Sequence, residues 1–235
     1  MIMKALRTKV GTCAIALLMS CGLATTSMAG SSDFSGIYGA FTASAGGAQI
    51  DGRHVNRGGE INEGQVGGVF PMAGYEIGFN LPLGDIFFIG AGHSWTAGGN
   101  AVLAEGREPN NLGGSGGEVS ASQTMYSLEA TNLKEVYIMP SISIYDNSAI
   151  YVKLGRGIAD LTAVGNITGQ PNNLTGNLVG IGTIAMTESG IFIKTEGSVT
   201  RFDDIKIVGI DGSPSAYVEG TPDVVAGTVA IGYKF

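Results

Sequence analysis

Five charged side chains interrupt segments of the sequence that are otherwise apolar. They are Glu76, Glu135, Lys153, Lys194 and Glu196. A charge in apolar surroundings is strongly unfavourable unless an opposite charge and hydrogen bonds accompany it. Two interpretations fit such residues: an internal network of ion pairs, or a transport path. Because both signs occur within similar apolar segments, the pattern favours an ion-pair network.

The two histidines offer little further chemistry. His93 precedes Ser94, and neighbouring residues of a strand point to opposite faces, so they cannot form a nucleophile–base pair. His54 falls in a segment that we expect to be a loop. No cysteine and histidine spacing matches a metal site. We therefore predict no catalytic residue, no metal and no cofactor, and we expect the protein not to be an enzyme.

The first residues have the pattern of an export signal. A positively charged start precedes the short apolar run Cys13–Leu23, and Ser27-Met28-Ala29 places small residues before a cleavage site. We predict a cleaved signal peptide over residues 1–29 and one domain over residues 30–235. An alternative is a lipid-modified Cys21. With cleavage before Gly30, both cysteines are removed, and the mature chain has no disulfide.

The composition restricts the class of protein. Only 14% of residues are charged, and 39 are glycine. After the signal, no apolar run reaches the roughly 18–20 residues that a spanning helix needs. The formal net charge of −7 argues against nucleic acid as a partner. Apolar residues interleaved with small and polar ones suit strands that have one apolar face.

The apolar segments alternate with a period of two residues. Tyr75, Ile77 and Phe79 share one face, and Glu76 lies on the other. In the sixth segment the alternation is too poor to assign faces. The eight predicted strands are Gly36–Ser44, Met72–Asn80, Ile86–Trp95, one within Leu133–Tyr145, Ala149–Ile158, Leu178–Thr187, Ile191–Phe202 and Val224–Phe235.

The connections between these strands alternate in length. Three are tight turns, at Leu81–Asp85, Asp146–Ser148 and Glu188–Gly190. Four are expected to be long loops, over residues 46–65, 96–124, 159–177 and 203–223. Alternating short and long connections are typical of a transmembrane barrel with short periplasmic turns and long extracellular loops.

These features predict an all-β fold, an eight-stranded antiparallel transmembrane β-barrel. In lipid a sheet must close, because unpaired backbone groups at an edge would be costly. Ten strands are an alternative, since Ser120–Thr131 is itself partly strand-like. Aromatic residues are expected at the two membrane interfaces. Those near the turns are Phe79, Phe87, Tyr145, Tyr233 and Phe235, and those toward the other edge are Phe41, Trp95 and Phe202.

The last residues carry the most specific pattern. Val229, Ile231, Tyr233 and Phe235 occupy alternate positions and end in phenylalanine. This pattern, with Ile37-Tyr38-Gly39-Ala40 after the export signal, resembles the small outer-membrane barrels of the OmpA/opacity-protein type. The resemblance implies residence in the bacterial outer membrane. It also implies handling by periplasmic chaperones, and recognition of the final strand by the barrel-assembly machinery.

Three functions remain open. The first, which we favour, is a structural or surface role in envelope integrity or surface interaction. The second is a narrow pore for small solutes or ions. The third is a secreted soluble barrel that binds a ligand, which predicts polar side chains where we place Val, Ile and Leu on the outward face. The expected partners are outer-membrane lipids, and we expect a monomer.

Overall fold

The computed structural model describes residues 30–55, 58–59, 61–97, 101–108, 123–145, 147–165, 173–208, 215 and 217–235. The predicted signal peptide lies outside these residues. A short 3-10 turn, Ser31–Phe34, precedes the strands. The strands are β1 (Gly36–Val55), β2 (Ile61–Pro82), β3 (Phe87–Ala97), β4 (Ala101–Glu108), β5 (Gln123–Tyr145), β6 (Ser148–Gly165), β7 (Asn173–Met186), β8 (Ile191–Phe202), β9 (Ile205–Val208) and β10 (Tyr217–Lys234).

Eight of these strands close into an antiparallel barrel, as predicted. The order around the barrel is β1-β2-β3-β5-β6-β7-β8-β10, and β10 pairs with β1 to close it. The other two strands are continuations: β4 pairs with β5 beyond the end of β3, and β9 pairs with β10 beyond the end of β8. Residues 123–131 do form a strand, but they belong to β5, so the barrel stays at eight strands rather than ten.

The strands are strongly tilted, which follows from the register of the ladders. A row of paired residues starts at Tyr38, crosses each neighbouring strand in turn and returns to β1 at Ala48. The barrel therefore has a shear of 48 − 38 = 10 residues. Eight strands with this shear tilt by about 45° and enclose a space that side chains can fill. We call this interior the lumen.

The two ends of the barrel differ. Both described termini and the tight turns lie at one end, which we call the turn end. There Pro82 ends β2, and Gly84 and Gly190 adopt positive φ values of 98° and 87°, a conformation that glycine adopts without strain. At the opposite, extended end the β1–β2, β4–β5, β5–β6 and β9–β10 ladders continue beyond the last residues of β3 and β8.

The prediction of four long loops is not confirmed, because most of those residues are strand. Residues 48–55 of β1 pair with β10 on one side and with β2 on the other. Their glycine and polar residues carry little strand propensity. Two flanking partners nonetheless supply the backbone hydrogen bonds, which local composition does not reveal. Residues 56–57, 60, 98–100, 109–122, 166–172, 209–214 and 216 of the predicted loops lie outside the described residues.

Side chains alternate between lumen and exterior. Ile77, Ile138 and Ile193 lie on the exterior and are about half exposed, whereas Glu76 and Lys194 are buried in the lumen. In β7, whose faces the sequence left unassigned, Leu178 and Ile184 point inward, and Val179 and Ile181 point outward. The expectation that Phe202 lies at the membrane interface is wrong: it is buried inside the barrel, as the alternation along β8 requires. None of the helices among the described residues has the length and apolar character to cross a membrane.

Candidate functional site: the sealed lumen

The lumen has three layers. Toward the extended end lies an apolar cluster that includes Ile50, Phe70, Leu161, Phe202 and Ile207, which we call the extended-end cluster. Toward the turns lies a second cluster with Phe34, Phe88, Met139, Leu178 and Phe192, which we call the turn-end cluster. The five charged residues singled out from the sequence lie in the lumen with these clusters on either side of them along the strands.

Lys194 on β8 and Glu76 on β2 form one ion pair of the lumen. The Lys194 Nζ lies 2.7 Å from Oε1 and 3.0 Å from Oε2 of Glu76. The Tyr137 hydroxyl donates to Glu76 Oε2 at 3.3 Å and lies 3.1 Å from the Tyr38 hydroxyl. Both charged side chains are only 4% exposed, so water contributes little to their solvation. The pair is therefore stabilised by protein groups.

Lys153 on β6 joins the other two carboxylates. Its Nζ donates to Glu135 Oε2 at 2.8 Å and to Glu196 Oε1 at 3.1 Å. Ser94 donates to Glu135 at 2.7 Å, and the Tyr151 hydroxyl donates to Glu196 at 3.0 Å. The Lys153 Nζ also lies 4.3 Å from the centre of the Tyr137 ring, which adds a cation–π attraction.

The structure thus brings all five charged residues together, in one group of three and one pair. Sequence reasoning missed the tyrosines that complete the network: Tyr38, Tyr137 and Tyr151. Each lies at an inward position of its strand, and this alternation was visible in the sequence. What was not visible is that each ring fills space left by a glycine across the ladder, as Tyr38 does at Gly78 and Tyr151 at Gly182.

A polar cavity lies beside the network. Its volume is about 30 Å³, and hydroxyl groups line it together with Glu76, Glu135 and Glu196. Among the five charged residues there is one more carboxylate than ammonium group. Buried polar groups without protein partners are commonly satisfied by water. The cavity can therefore hold water beside the carboxylates, and the two apolar clusters enclose this polar layer along the barrel axis.

The histidines lie where the strand geometry places them. His93 faces outward, and its Nδ1 lies 2.9 Å from the Glu135 backbone carbonyl, while Ser94 points inward to the Glu135 side chain. This confirms that the two residues occupy opposite faces. The expectation that His54 lies in a loop is wrong, because it belongs to β1 and pairs with Val218 and Asn62. Within the described part of the chain, no group of three residues could hold a metal ion.

The exterior carries an apolar belt with a polar boundary. Arg156, Asn177, Arg201 and Asp223 are paired in sequence on β6, β7, β8 and β10. Arg156 donates to Asn177 at 2.7 Å, and Arg201 donates to Asp223 at 3.1 Å. From this row to the turns the outward side chains are predominantly apolar. Among them are the alternate positions of the last strand, Val229, Ile231, Tyr233 and Phe235.

A closed barrel with an apolar exterior and a layer of charged residues sealed in its interior is a transmembrane β-barrel of the bacterial outer-membrane class, since closure satisfies every backbone group in lipid. In this class the turn end is periplasmic and the extended end is outside the cell. The predicted fold and location are thereby confirmed. The apolar exterior does not fit the alternative of a soluble secreted barrel.

No protein-family model matches the chain, and no protein of described function matches it in sequence. Solved structures of similar architecture include OprG of Pseudomonas aeruginosa, with 10% identity, 86% of this chain and 96% of that chain covered, and a TM-score of 0.48. Ail, the attachment invasion locus protein of Yersinia pestis, has 12% identity, coverage of 83% and 99%, and a TM-score of 0.38. The outer-membrane protease OmpT of Escherichia coli has 10% identity, coverage of 85% and 97%, and a TM-score of 0.41. These likenesses concern the fold alone.

Proposed function

We propose that this protein is a non-catalytic structural barrel that holds an ordered β-extension at the cell surface. The observation that carries the proposal is the filled lumen, in which apolar clusters bracket the ion-pair network on both sides. A barrel sealed in this way is a rigid support. What it supports is the part of the strands that continues past the polar boundary.

The extension is built as sheet rather than as flexible loops. On β1, the ladder with β2 and β10 continues as far as Val55. Arg53 pairs with Glu219 at 2.6 Å, and Lys206 lies 3.7 Å from the same carboxylate. Surface recognition usually resides on segments held by a rigid scaffold. This arrangement supports a role in surface interaction or envelope integrity.

The pore alternative has less support. A conducting path needs continuous water from one end of the lumen to the other, and both apolar clusters interrupt it. Small size does not exclude catalysis in this fold, since OmpT is a protease. We base the non-catalytic proposal on the side chains of this chain: His93 and Ser94 face opposite sides, and the buried carboxylates are engaged by lysine and hydroxyl groups.

The partners that we propose follow from the exterior. Outer-membrane lipids would cover the apolar belt. The last strand, with Val229, Ile231, Tyr233 and Phe235, would be the signal for the barrel-assembly machinery after periplasmic chaperones deliver the chain. Closure by β1 and β10 leaves no free strand edge within the belt, so the barrel needs no second copy to satisfy its backbone. We therefore propose a monomer.

Envelope fractionation, gel mobility and conductance test this proposal. The tagged protein is expected in the outer-membrane fraction, with a faster gel band before boiling than after, because the folded barrel resists detergent. In planar bilayers the folded protein is expected to give no single-channel steps. Regular steps would support the pore instead. A deletion strain is expected to be more sensitive to detergents or to lose surface adhesion, and normal behaviour in both assays would contradict the proposed role.

A further inference from the structure

A groove runs across the exterior of the barrel over β2, β3, β5 and β6. Its floor is the backbone of Gly78, Gly92, Tyr137 and Gly155, which are paired in that order on adjacent strands and point into the lumen. The groove has a volume of about 650 Å³. The groove is shallow and open along its outer side, so an occupant would lie along the surface with one side in contact with the protein.

Two rows of outward side chains form the walls. One row, nearer the turns, is Phe79, Ala91, Ile138 and Leu154. The other is Ile77, His93, Val136 and Arg156. Ala91 is the smallest of these side chains, and it lies between Phe79 and Ile138. The walls are apolar except for His93, whose Nδ1 is fixed against the Glu135 carbonyl, and Arg156.

The groove has a direction, which follows from the tilt of the strands. Because the rows climb around the barrel with a shear of 10 residues, each step from β2 toward β6 moves toward the outer surface. Three steps between adjacent strands span about 14 Å. The groove therefore rises from the middle of the apolar belt and ends at Arg156, on the polar boundary. An extended hydrocarbon chain has the shape that such a groove accommodates.

The outer end of the groove carries positive charge. The Arg156 side chain is 49% exposed, and it contacts Asn177 at 2.7 Å and the Asp203 carboxylate at 3.6 Å. Lys134 is an exposed outward residue of β5, two positions along the strand from Val136, the partner of Arg156. Residues in this diagonal relationship lie about 7–8 Å apart. Two cations at this spacing can bind one phosphate group between them.

We propose that the groove binds one acyl chain of an outer-leaflet lipid, with a phosphate of its headgroup held by Arg156 and Lys134. The proposal rests on the insertion of the barrel in the outer membrane proposed above. It adds a defined lipid site to a surface that would otherwise contact lipid without preference. The apolar walls select for a chain, and the two cations select for an anionic headgroup at one depth.

Trp95 is the only tryptophan of the chain and pairs with Lys134, so its fluorescence reports on the outer end of the groove. The folded protein in maltoside micelles is titrated with phosphatidic acid that carries brominated chains, which quench tryptophan. We expect quenching that saturates at one lipid per barrel. Phosphatidylcholine with the same chains is expected to bind at least tenfold more weakly.

Two variants test the two halves of the site. Ala91→Phe fills the groove, and the double variant Arg156→Gln/Lys134→Gln removes the charges; each is expected to raise the dissociation constant at least tenfold. Arg201→Gln is the matched control, because it removes a boundary arginine away from the groove, and its constant is expected to stay within twofold. Quenching that never saturates, or equal constants in all variants, would overturn the proposal. The faster gel band before boiling verifies folding separately, so its loss would point to failure of the barrel itself.

Discussion

Lys194 places its Nζ 2.7 Å from Oε1 of Glu76, although the two residues are 118 positions apart in the sequence. Their strands, β8 and β2, are separated on the barrel by β10 and β1. The pair therefore spans the lumen and does not join neighbouring strands. It links two walls of the barrel at the level where both side chains are withdrawn from water, which makes its loss costly.

Replacing Glu76 by Gln is expected to destabilise the barrel. The change leaves the Lys194 ammonium buried without its carboxylate, and loss of one partner from a buried pair costs about 3–5 kcal/mol. Urea unfolding in lipid vesicles, followed by tryptophan fluorescence, measures the free energy. Arg201→Gln, which breaks the exposed pair with Asp223, should cost less than about 1 kcal/mol. An equal effect of both changes would contradict the assignment.

Among the five charged residues of the lumen, substitution of Lys153 is expected to lower the stability of the barrel most, because Lys153 donates hydrogen bonds to two carboxylates. Lys153→Met leaves Glu135 and Glu196 without the ammonium group that lies 2.8 Å and 3.1 Å from them. Adding Glu135→Gln to this variant removes one of the opposed charges and should recover part of the lost stability. The same urea titration provides the test. If the double variant is less stable than Lys153→Met alone, the two carboxylates do not depend on Lys153 in this way.

The stability of the barrel is expected to depend on the absence of a side chain at Gly78. A methyl group there would overlap the ring and hydroxyl of Tyr38, and overpacking of a core typically costs about 1–3 kcal/mol. Gly227 is a matched control, because a methyl group there meets nothing within 4 Å. Gly78→Ala should lower the urea midpoint, and Gly227→Ala should leave it unchanged or slightly raised. Similar midpoints for the two variants would show that the Tyr38 ring can move aside.

Much of the fold can be predicted from the sequence, because alternation is a local property. The period of two places Glu76, Lys153 and Lys194 on the face opposite to the apolar side chains, and the turns at Leu81–Asp85 and Glu188–Gly190 carry Pro or Gly where the chain must reverse. In contrast, the sequence does not predict which inward charged residues pair with each other. Glu76 pairs with Lys194 and not with Lys153 because of the shear of the whole barrel, which no local segment encodes.

The length of the strands could not be predicted for a related reason. Four of the eight residues 48–55 are polar or charged (Gln49, Asp51, Arg53 and His54), so the segment has the composition of a loop. They are strand because residues 217–224 and 61–68 pair with them on either side. The tyrosines of the site could not be predicted because strand pairing is non-local. Tyr38 can be recognised as part of the network only when its pairing with Gly78 is known.

Phe34 is expected to stabilise the periplasmic end of the lumen. Its ring stacks on Phe88 with centroids 5.0 Å apart. The Phe34 carbonyl accepts a hydrogen bond from Asn80 at 3.1 Å. Phe34→Ala would leave a cavity in the turn-end cluster and should cost about 3–5 kcal/mol. Ser32→Ala, at an exposed position of the same turn, is the control and should have little effect on the urea midpoint. A Phe34→Ala midpoint equal to that of the control would mean that this turn does not contribute to the barrel.

The two apolar clusters act in series, so opening one of them should not produce a pore. In Phe34→Ala the extended-end cluster still excludes water, and in Phe202→Ala the turn-end cluster does so. Planar-bilayer recordings of both variants, with folding checked by gel mobility, should therefore be as silent as those of the unmodified protein. Steps in only one variant would identify the other cluster as permeable to water. Steps in the unmodified protein would mean that neither cluster seals the lumen, and the proposal of a purely structural barrel would fail.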